Sequence, residues 1–339
     1  MLDRLRQPVS PQAYRTITMV ALVLLVAIVV TGAGVRLTGS GLGCSDWPGC
    51  TDRTFTPTRD LNSQIEFWNR MITGLVGVAV IVAVLGSLRR APKRKDLVWL
   101  SWGLVAGVVA QALLGKLVVE THLNPWLVQG HMVLSLVLVA NALVLTHRAG
   151  QPDGVPVRPT VTPALMRWGN VLVGLAVAVL LSGTLVTGSG PHSGKTDAPE
   201  NATRAQEIAA AREVKRLPIA VHDAARIHGV TVMIFLAATI WVLVQVRRHQ
   251  RDGTRLLATT TSLLTVLVLQ AGIGYAQYFT GVPPLLVLLH IFGACLVWIA
   301  VLMVRLHMSA PLESGASPAA EWRGGIEHPG HLPDGDRVP

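Results

Sequence analysis

The chain has 339 residues, of which 51% are apolar and only 14% are charged, which is too little charge to cover a soluble protein of this size. The net charge of +10 would be compatible with nucleic-acid binding, but Lys and Arg are concentrated in alternate connections between apolar runs. That distribution is an orientation signal of membrane proteins and excludes a nucleic-acid footprint.

Eight apolar runs come close to the roughly 20 residues that a helix needs to cross a bilayer. In lipid these runs should be helical, because a helix satisfies its backbone hydrogen bonds internally. Basic residues precede the first run and follow each even-numbered run, so the positive-inside rule predicts that both termini are cytoplasmic. The first run is too long for a cleaved signal peptide. The runs are Ile17–Val35, Phe67–Leu88, Leu97–Val119, Trp126–Thr146, Trp168–Thr187, Ile227–Val246, Leu256–Tyr275 and Pro284–Val304.

The predicted fold is therefore an all-α, multi-pass protein of the cell membrane with eight transmembrane helices in two tandem four-helix bundles. The bundles are expected over residues 17–147 and 168–306. A cytoplasmic N-terminus (1–16), a cytoplasmic linker (148–167) and a cytoplasmic tail (307–339) complete the chain. The tail is rich in Pro, Gly and Ala, which predicts disorder.

A duplication is indicated by polar residues at matched spacing. Gln111 lies four residues before a glycine and twenty before His131, and Gln270 lies four residues before a glycine and twenty before His290. A proline precedes each histidine by six residues. The Thr31–Gly41 segment also matches Ser182–Gly190 with two residues deleted. The copies should be parallel repeats with equivalent histidines at the same depth.

Ionisable residues inside membrane helices are functional candidates by default. His228 and His290 are predicted at similar depth on neighbouring antiparallel helices, where two neutral imidazoles could ligate one heme iron from both sides. The alternative is that each histidine only hydrogen-bonds a neighbouring helix. Zinc is a weaker candidate, because nothing supplies its third and fourth ligands.

The first copy retains His131, but Asn69 occupies the position of its partner histidine. A heme held there by His131 alone would have an open sixth position, which suits a reactive or exchangeable heme. Glu66 shares a helical face with Asn69 and could act on a bound porphyrin. It could equally cap the second helix or pair with Arg70.

Cations and cysteines mark the predicted outer side. Arg36, Arg70 and Arg226 could pair with heme propionates or only with nearby carboxylates.

Cys44 and Cys50 share one predicted outer loop, where an oxidising compartment favours a disulfide. Cys295 is expected to be a packing residue, and the loop histidines His122 and His192 are expected to be solvated.

Together these motifs resemble the heme A synthase family over roughly Thr16–Leu306. The most specific motifs are the Val35–Cys50 segment and the Glu66-x-x-Asn69-Arg70 sequence. The resemblance implies two four-helix bundles, with a heme b cofactor in the second and the substrate heme O in the first. It also implies oxidation of the C8 methyl of heme O to the formyl group of heme A, for aa3-type terminal oxidases.

By position, the resemblance assigns residue roles. His228 and His290 would be the heme b ligands, His131 a ligand of the substrate heme, and Glu66 the catalytic carboxylate. Cys44 and Cys50 match the outer-loop cysteine pair of the family. A heme O synthase is implied as a partner, with the heme sites toward the extracytoplasmic side.

Two departures from the family pattern stand out. The family usually has a histidine where this chain has Asn69, so the second ligand of the substrate heme is open. Either His131 holds this heme alone, or another group such as a water supplies the sixth ligand. Some members carry a second cysteine pair in the loop between helices five and six, and this chain has none there. It has instead the long segment 197–216, whose Ala-rich part from Thr203 could be helical.

Two other classes of function compete with this interpretation. A membrane cytochrome b that only conducts electrons would require two bis-histidine hemes, ideally on opposite sides of the membrane. A transporter built on parallel repeats would require polar substrate groups near the midplane, where this sequence has almost no charge.

Overall fold

A computed structural model describes residues 7–44, 49–51, 54–57, 59–190, 216–249 and 255–312. Within these ranges, eight helices are long and apolar enough to cross a membrane, and each predicted apolar run lies inside one of them. This confirms the predicted fold class. The elements are α1 Pro11–Leu37, α2 Leu61–Arg89, α3 Lys95–Glu120, α4 Pro125–Ala149, β1 Val157–Pro159, α5 Pro163–Ser189, α6 Val221–His249, α7 Arg255–Phe279, α8 Pro284–His307 and β2 Ser309–Pro311.

Capping side chains and prolines define where several helices begin. Ser10, Asn124 and Thr162 each accept a hydrogen bond from a backbone N–H in the first turn of α1, α4 and α5. Each of these caps is followed by a proline in the first turn, where its missing N–H costs nothing. Asp60 caps α2 in the same way. These polar starts extend the helices beyond the apolar runs, so the helices are a few residues longer than predicted.

The helices pack as two rings of four. In the first ring α1 contacts α2, α2 contacts α3, α3 contacts α4, and α4 returns to α1; α5 to α8 repeat this pattern. Consequently α2 stands diagonally opposite α4, and α6 stands diagonally opposite α8, across a ring interior. The rings meet where α8 contacts α1 and α4, and where α4 contacts α5. The tandem duplication and the cytoplasmic placement of the termini stay predictions.

Large apolar side chains cover the outside of the rings. Trp99 and Phe279, for example, are 76% and 78% exposed. A soluble protein rarely exposes so much contiguous apolar surface, whereas lipid tails accept it. Between the rings, the Trp298 indole N–H on α8 donates to the Leu136 carbonyl on α4 at 2.9 Å, which satisfies a polar group that lipid could not.

The linker and the start of the tail pair with each other, which the sequence did not predict. Strands β1 and β2 are antiparallel, with Val157 opposite Pro311 and Pro159 opposite Ser309. The tail expected to be disordered from residue 307 is therefore structured as far as residue 312. The reason is backbone pairing, which three-residue strands provide without a hydropathy signal. Residues 313–339 lie outside the described ranges, as do residues 1–6 and residues 197–215 of the predicted outer-loop segment.

Candidate functional site

One end of the molecule carries the predicted histidines. It comprises the ends of α1, α3, α5 and α7 and the starts of α2, α4, α6 and α8, and we call it the histidine end. His228 lies about two turns into α6 and His290 a similar distance into α8. The two imidazole rings face each other across the interior of the second ring, with centroids 6.3 Å apart and planes at 78°. The structure thus brings this predicted pair together. The prediction of neighbouring antiparallel helices was wrong, however, because α6 and α8 both start at the histidine end and are therefore parallel, and they stand diagonally in the ring.

Ser182 on α5 is the hydrogen-bond partner of His228. Its hydroxyl oxygen lies 2.9 Å from the Val179 carbonyl and 3.0 Å from His228 Nδ1. With the hydroxyl hydrogen on the Val179 carbonyl, the oxygen accepts a hydrogen bond from Nδ1–H. Nε2 is left with its lone pair, the state in which an imidazole ligates a metal.

His290 is positioned by two residues of α7. Gln270 donates from Nε2 to the His290 backbone carbonyl at 2.7 Å. The His290 ring lies against Gly274, where an added Cβ would stand 3.2 Å from Cε1. Its Nδ1 is buried without a hydrogen-bond partner. A buried polar atom without a partner is costly, which indicates a site that something else completes.

The same contacts recur around His131 in the first ring. Gln111 on α3 donates to the His131 carbonyl at 3.0 Å, and the ring lies against Gly115, 3.4 Å from where a Cβ would stand. His131 Nδ1 is likewise buried without a partner. The matched Gln, Gly and His residues therefore occupy equivalent environments, as expected from a duplication.

Asn69 lies on α2, diagonally opposite the helix that carries His131. Its side-chain oxygen is buried and accepts no hydrogen bond. The predicted partner position of His131 therefore presents an amide oxygen that is free to accept a hydrogen bond from a bound group or water.

Glu66 is buried and holds the loop after α1 to the start of α2. One carboxylate oxygen pairs with Arg70 Nη2 at 2.6 Å, and the other accepts the Cys44 backbone N–H at 2.9 Å. Cys44 and Cys50 lie at disulfide-bonding distance, as predicted. Arg70 also donates to the Gly49 carbonyl in that loop at 2.5 Å. Three roles were considered for Glu66. The pairing with Arg70 is present, Asp60 caps the helix instead, and the catalytic role of Glu66 stays a prediction.

The other predicted cations behave differently from one another. Arg36 donates to the Thr187 carbonyl at 3.0 Å and so links the end of α1 to the end of α5, while its Nε is buried without a partner. Arg226 is exposed near the start of α6.

The remaining predictions concern one cysteine and two loop histidines. Cys295 is buried and free, as expected, and His122 is exposed. His192 lies outside the described residues.

A polar contact between the rings was missed in the sequence. Thr184 Oγ1 on α5 lies 3.3 Å from Gln129 Oε1 on α4. Gln129 precedes His131 by two residues, and Thr184 follows Gly183, against which the His228 ring lies. The sequence did contain one signal for this contact, because Gln129 is an amide residue inside an apolar run. Ser182 was missed because a serine on a helix face is ordinary, and only the fold shows that it meets His228.

The His228–His290 pair fits a heme iron. Metals bind imidazole nitrogen at about 2 Å, so two axial imidazoles on one iron should have ring centroids roughly 6 Å apart, close to the distance seen. Both helices are diagonal members of one ring, which leaves the interior between them for a flat group. Among the described residues, no cluster of three or more His, Cys, Asp or Glu could hold a metal ion, so a zinc site is not supported.

Comparisons with known proteins identify the family of this chain. A model of the COX15-CtaA family, described as cytochrome oxidase assembly protein, matches residues 15–302. The chain belongs to this family. The matched range runs from α1 to α8 and includes every candidate site residue, so the resemblance found in the motifs is confirmed.

Curated relatives of this COX15-CtaA protein are heme A synthases. Those of Halalkalibacterium halodurans and Listeria welshimeri are each 25% identical to it over 279 residues, which is 80% of this chain and 86% and 88% of those proteins. The heme A synthase of Bacillus licheniformis is 28% identical over 143 residues, which is 42% of this chain. In that case the match spans about half of the relative, 47% of its length.

Proposed function

We propose that the protein is a heme A synthase of the cell membrane, oxidising the C8 methyl of heme O to the formyl group of heme A. In this proposal heme b is the resident cofactor, held by His228 and His290 in the second ring. Heme O binds in the first ring through His131, and heme A goes to aa3-type terminal oxidases. Family membership and the heme A synthases among its relatives support this assignment.

The observation that carries the proposal is the His228–His290 pair. The two rings stand 6.3 Å apart between diagonal helices, and the hydroxyl of Ser182 leaves His228 Nε2 ready to ligate. These two residues would hold the iron of heme b. A saturated iron suits electron transfer and not substrate exchange, which fits a permanent cofactor.

The first ring differs where an exchangeable substrate should bind. Its histidine environment is the same, with Gln111 and Gly115 around His131, but the diagonal position holds Asn69. An amide oxygen is a poor ligand for heme iron compared with imidazole, so His131 would hold heme O from one side only. A substrate that must leave as product favours such a weaker hold.

Glu66 is proposed to stabilise the positive charge that develops on the carbon being oxidised, and to accept protons that leave it. When bound, heme b would supply one-electron transfer, the chemistry needed to oxidise an inert methyl group in steps. The ion pair with Arg70 and the hydrogen bond from Cys44 hold the carboxylate in one place. A preorganised charge of this kind needs no rearrangement during the reaction.

The histidine end is proposed to face the extracytoplasmic side. Alternate connections rich in Arg lie at the opposite end, which the positive-inside rule assigns to the cytoplasm. A disulfide between Cys44 and Cys50 at the histidine end suits an oxidising compartment. A heme O synthase in the same membrane would be the natural source of the lipophilic substrate.

The rival electron conduit needs a second bis-histidine heme at the other end. His147 and His307 do approach each other there, with centroids 5.7 Å apart. They lie, however, on α4 and α8, which pack directly against each other and are not diagonal members of one ring. A porphyrin between them would have to separate these two helices, so the conduit is disfavoured.

The test is the heme content of the full-length protein, expressed with a heme O synthase in a bacterium that makes no heme A. Hemes extracted from the purified protein are separated by reversed-phase chromatography. Heme b together with heme O and heme A is expected. Heme b alone would point to the conduit and no heme to a transporter, and either result would overturn the proposal.

A further inference from the structure

A cluster of basic residues lies at the end of the molecule opposite the histidine end. His147 is in the last turn of α4 and His307 ends α8. His147 follows His131 by 16 residues (147 − 131), so it is about 24 Å further along the helix at 1.5 Å per residue. This cluster is therefore separate from the candidate heme sites.

Three arginines from three different helices lie near the His147 imidazole, and one of them also lies near His307. Arg15 on α1 lies over Gly150, where its Nε stands 3.0 Å from the position of an added Cβ. Arg148 follows His147 in α4, and Arg255 begins α7. The charges of all three act on His147, and that of Arg255 acts on His307 as well. We call these five residues the basic cluster: Arg15, His147, Arg148, Arg255 and His307.

Within the described residues, the carboxylates near the cluster leave most of its charge uncompensated. Asp96 lies 3.7 Å from Arg148, but it is held more closely by Arg94 at 2.8 Å. Asp153 is bound by the fully buried Arg90 at 2.8 Å and by Arg94 at 3.3 Å. Within the described part of the chain, no ion pair involves Arg15 or Arg255.

This surplus charge decides which ligand fits. A metal cation would be repelled by three arginines at close range, although two imidazoles are present. An anion with several acceptor oxygens would satisfy the arginine forks, while Gln151 and Thr259 already lie within hydrogen-bonding distance of His147 and His307. The three arginines are exposed and the two rings are half-buried, so an anion can reach the cluster from the solvent or the headgroup layer.

We infer that the basic cluster binds the phosphate group of an anionic phospholipid. Its residues lie at helix ends, the level at which phospholipid headgroups stand, and basic pockets between transmembrane helices on the cytoplasmic side bind such headgroups. The cluster also lies where α8 of the second ring contacts α1 and α4 of the first. A bound headgroup would join four helices at this point, α1 and α4 of the first ring and α7 and α8 of the second.

The test uses purified full-length protein in a zwitterionic detergent. It is titrated with dioleoyl phosphatidylglycerol or with dioleoyl phosphatidylcholine, and bound lipids are counted by native mass spectrometry. Phosphatidylglycerol should bind preferentially. The combined variant Arg15→Gln, Arg148→Gln, Arg255→Gln should bind it about tenfold more weakly or worse, since each basic residue contributes to the attraction.

A matched control removes the same charge elsewhere at that end. Arg89, Arg158 and Arg247 are exposed, and their combined change to Gln should leave phosphatidylglycerol binding within about twofold. Equal weakening in both combined variants would overturn the inference, because net charge alone would then explain binding. Binding of inorganic phosphate that displaces the lipid completely would overturn it too, by assigning the cluster to a soluble anion.

A charge-neutral variant covers the case in which the triple variant fails to fold. Gly150→Ala places a methyl group 3.0 Å from Arg15 Nε and must move that guanidinium without changing the charge. Severalfold weaker phosphatidylglycerol binding is expected, whereas unchanged binding would contradict the role of Arg15. The control is Gly174→Ala, whose added methyl group meets nothing within 4 Å. Gly154 also has open space around it, but its positive φ would strain an alanine.

Discussion

The hydroxyl of Ser182 lies 3.0 Å from His228 Nδ1 and donates its own hydrogen to the Val179 carbonyl. When the hydroxyl hydrogen lies on that carbonyl, Ser182 accepts Nδ1–H and the lone pair of His228 stays on Nε2. It connects an unremarkable serine on α5 to the chemistry proposed for α6 and α8.

Ser182→Ala should weaken heme b binding while the protein still folds. Residues that orient a metal ligand typically contribute tenfold to a hundredfold in affinity, and the variant removes the acceptor that holds Nδ1–H. Heme b content, measured from the pyridine hemochrome per protein, should fall. Ser262→Ala, an exposed serine on α7, is the control, and an equal effect in both variants would contradict the tautomer argument.

Gly274→Ala should displace the His290 imidazole. An added Cβ would stand 3.2 Å from Cε1, closer than most Cβ contacts, so the ring must shift away from its ligating position. We expect lower heme b content and a changed visible spectrum. Gly272→Ala on the same helix meets nothing within 4 Å and should keep wild-type heme b; loss of heme b there would show that the helix, and not the ring contact, matters.

Glu66→Gln should stop formation of heme A while heme b and heme O stay bound. The amide can still accept the Cys44 N–H, but it carries no charge and cannot take a proton. Chromatography of extracted hemes should show heme O accumulating. Glu120→Gln changes an exposed carboxylate paired with Lys116 and should form heme A normally. Heme A at the wild-type level in Glu66→Gln would leave Glu66 with only its structural role.

Asn69→His should add a second imidazole opposite His131. If α2 and α4 bind heme O between them, this variant should turn the substrate heme from a state with one histidine ligand into a low-spin bis-histidine form. Electron paramagnetic resonance of the heme O-loaded protein would detect the change. An unchanged spectrum would mean that position 69 does not face the substrate heme.

Much of the fold follows directly from the sequence. Each membrane helix is a long apolar run, and lipid leaves such a run almost no alternative to a helix. The similar depth of His228 and His290 was also predictable, because each lies near the start of its apolar run, but the parallel, diagonal arrangement of their helices was not. The resemblance of the motifs to one family agreed with the match over residues 15–302.

Other parts of the site depend on contacts that no local pattern encodes. Glu66 binds the Cys44 backbone N–H, and a backbone donor has no residue signature. Arg36 on α1 donates to the Thr187 carbonyl on α5. The two residues are 151 positions apart in the chain, so no local pattern reveals the contact. The pairing of β1 with β2 was missed for the same reason, since three residues are too few to show a period.

The division of labour between the two rings is the central claim, and the heme content of two matched variants tests it most directly. His131→Ala and His290→Ala remove equivalent ligands, one from each ring, and both proteins are purified from cells that supply heme O. His290→Ala should lose heme b and keep heme O, whereas His131→Ala should keep heme b and lose heme O. Loss of the same heme from both variants would contradict the account.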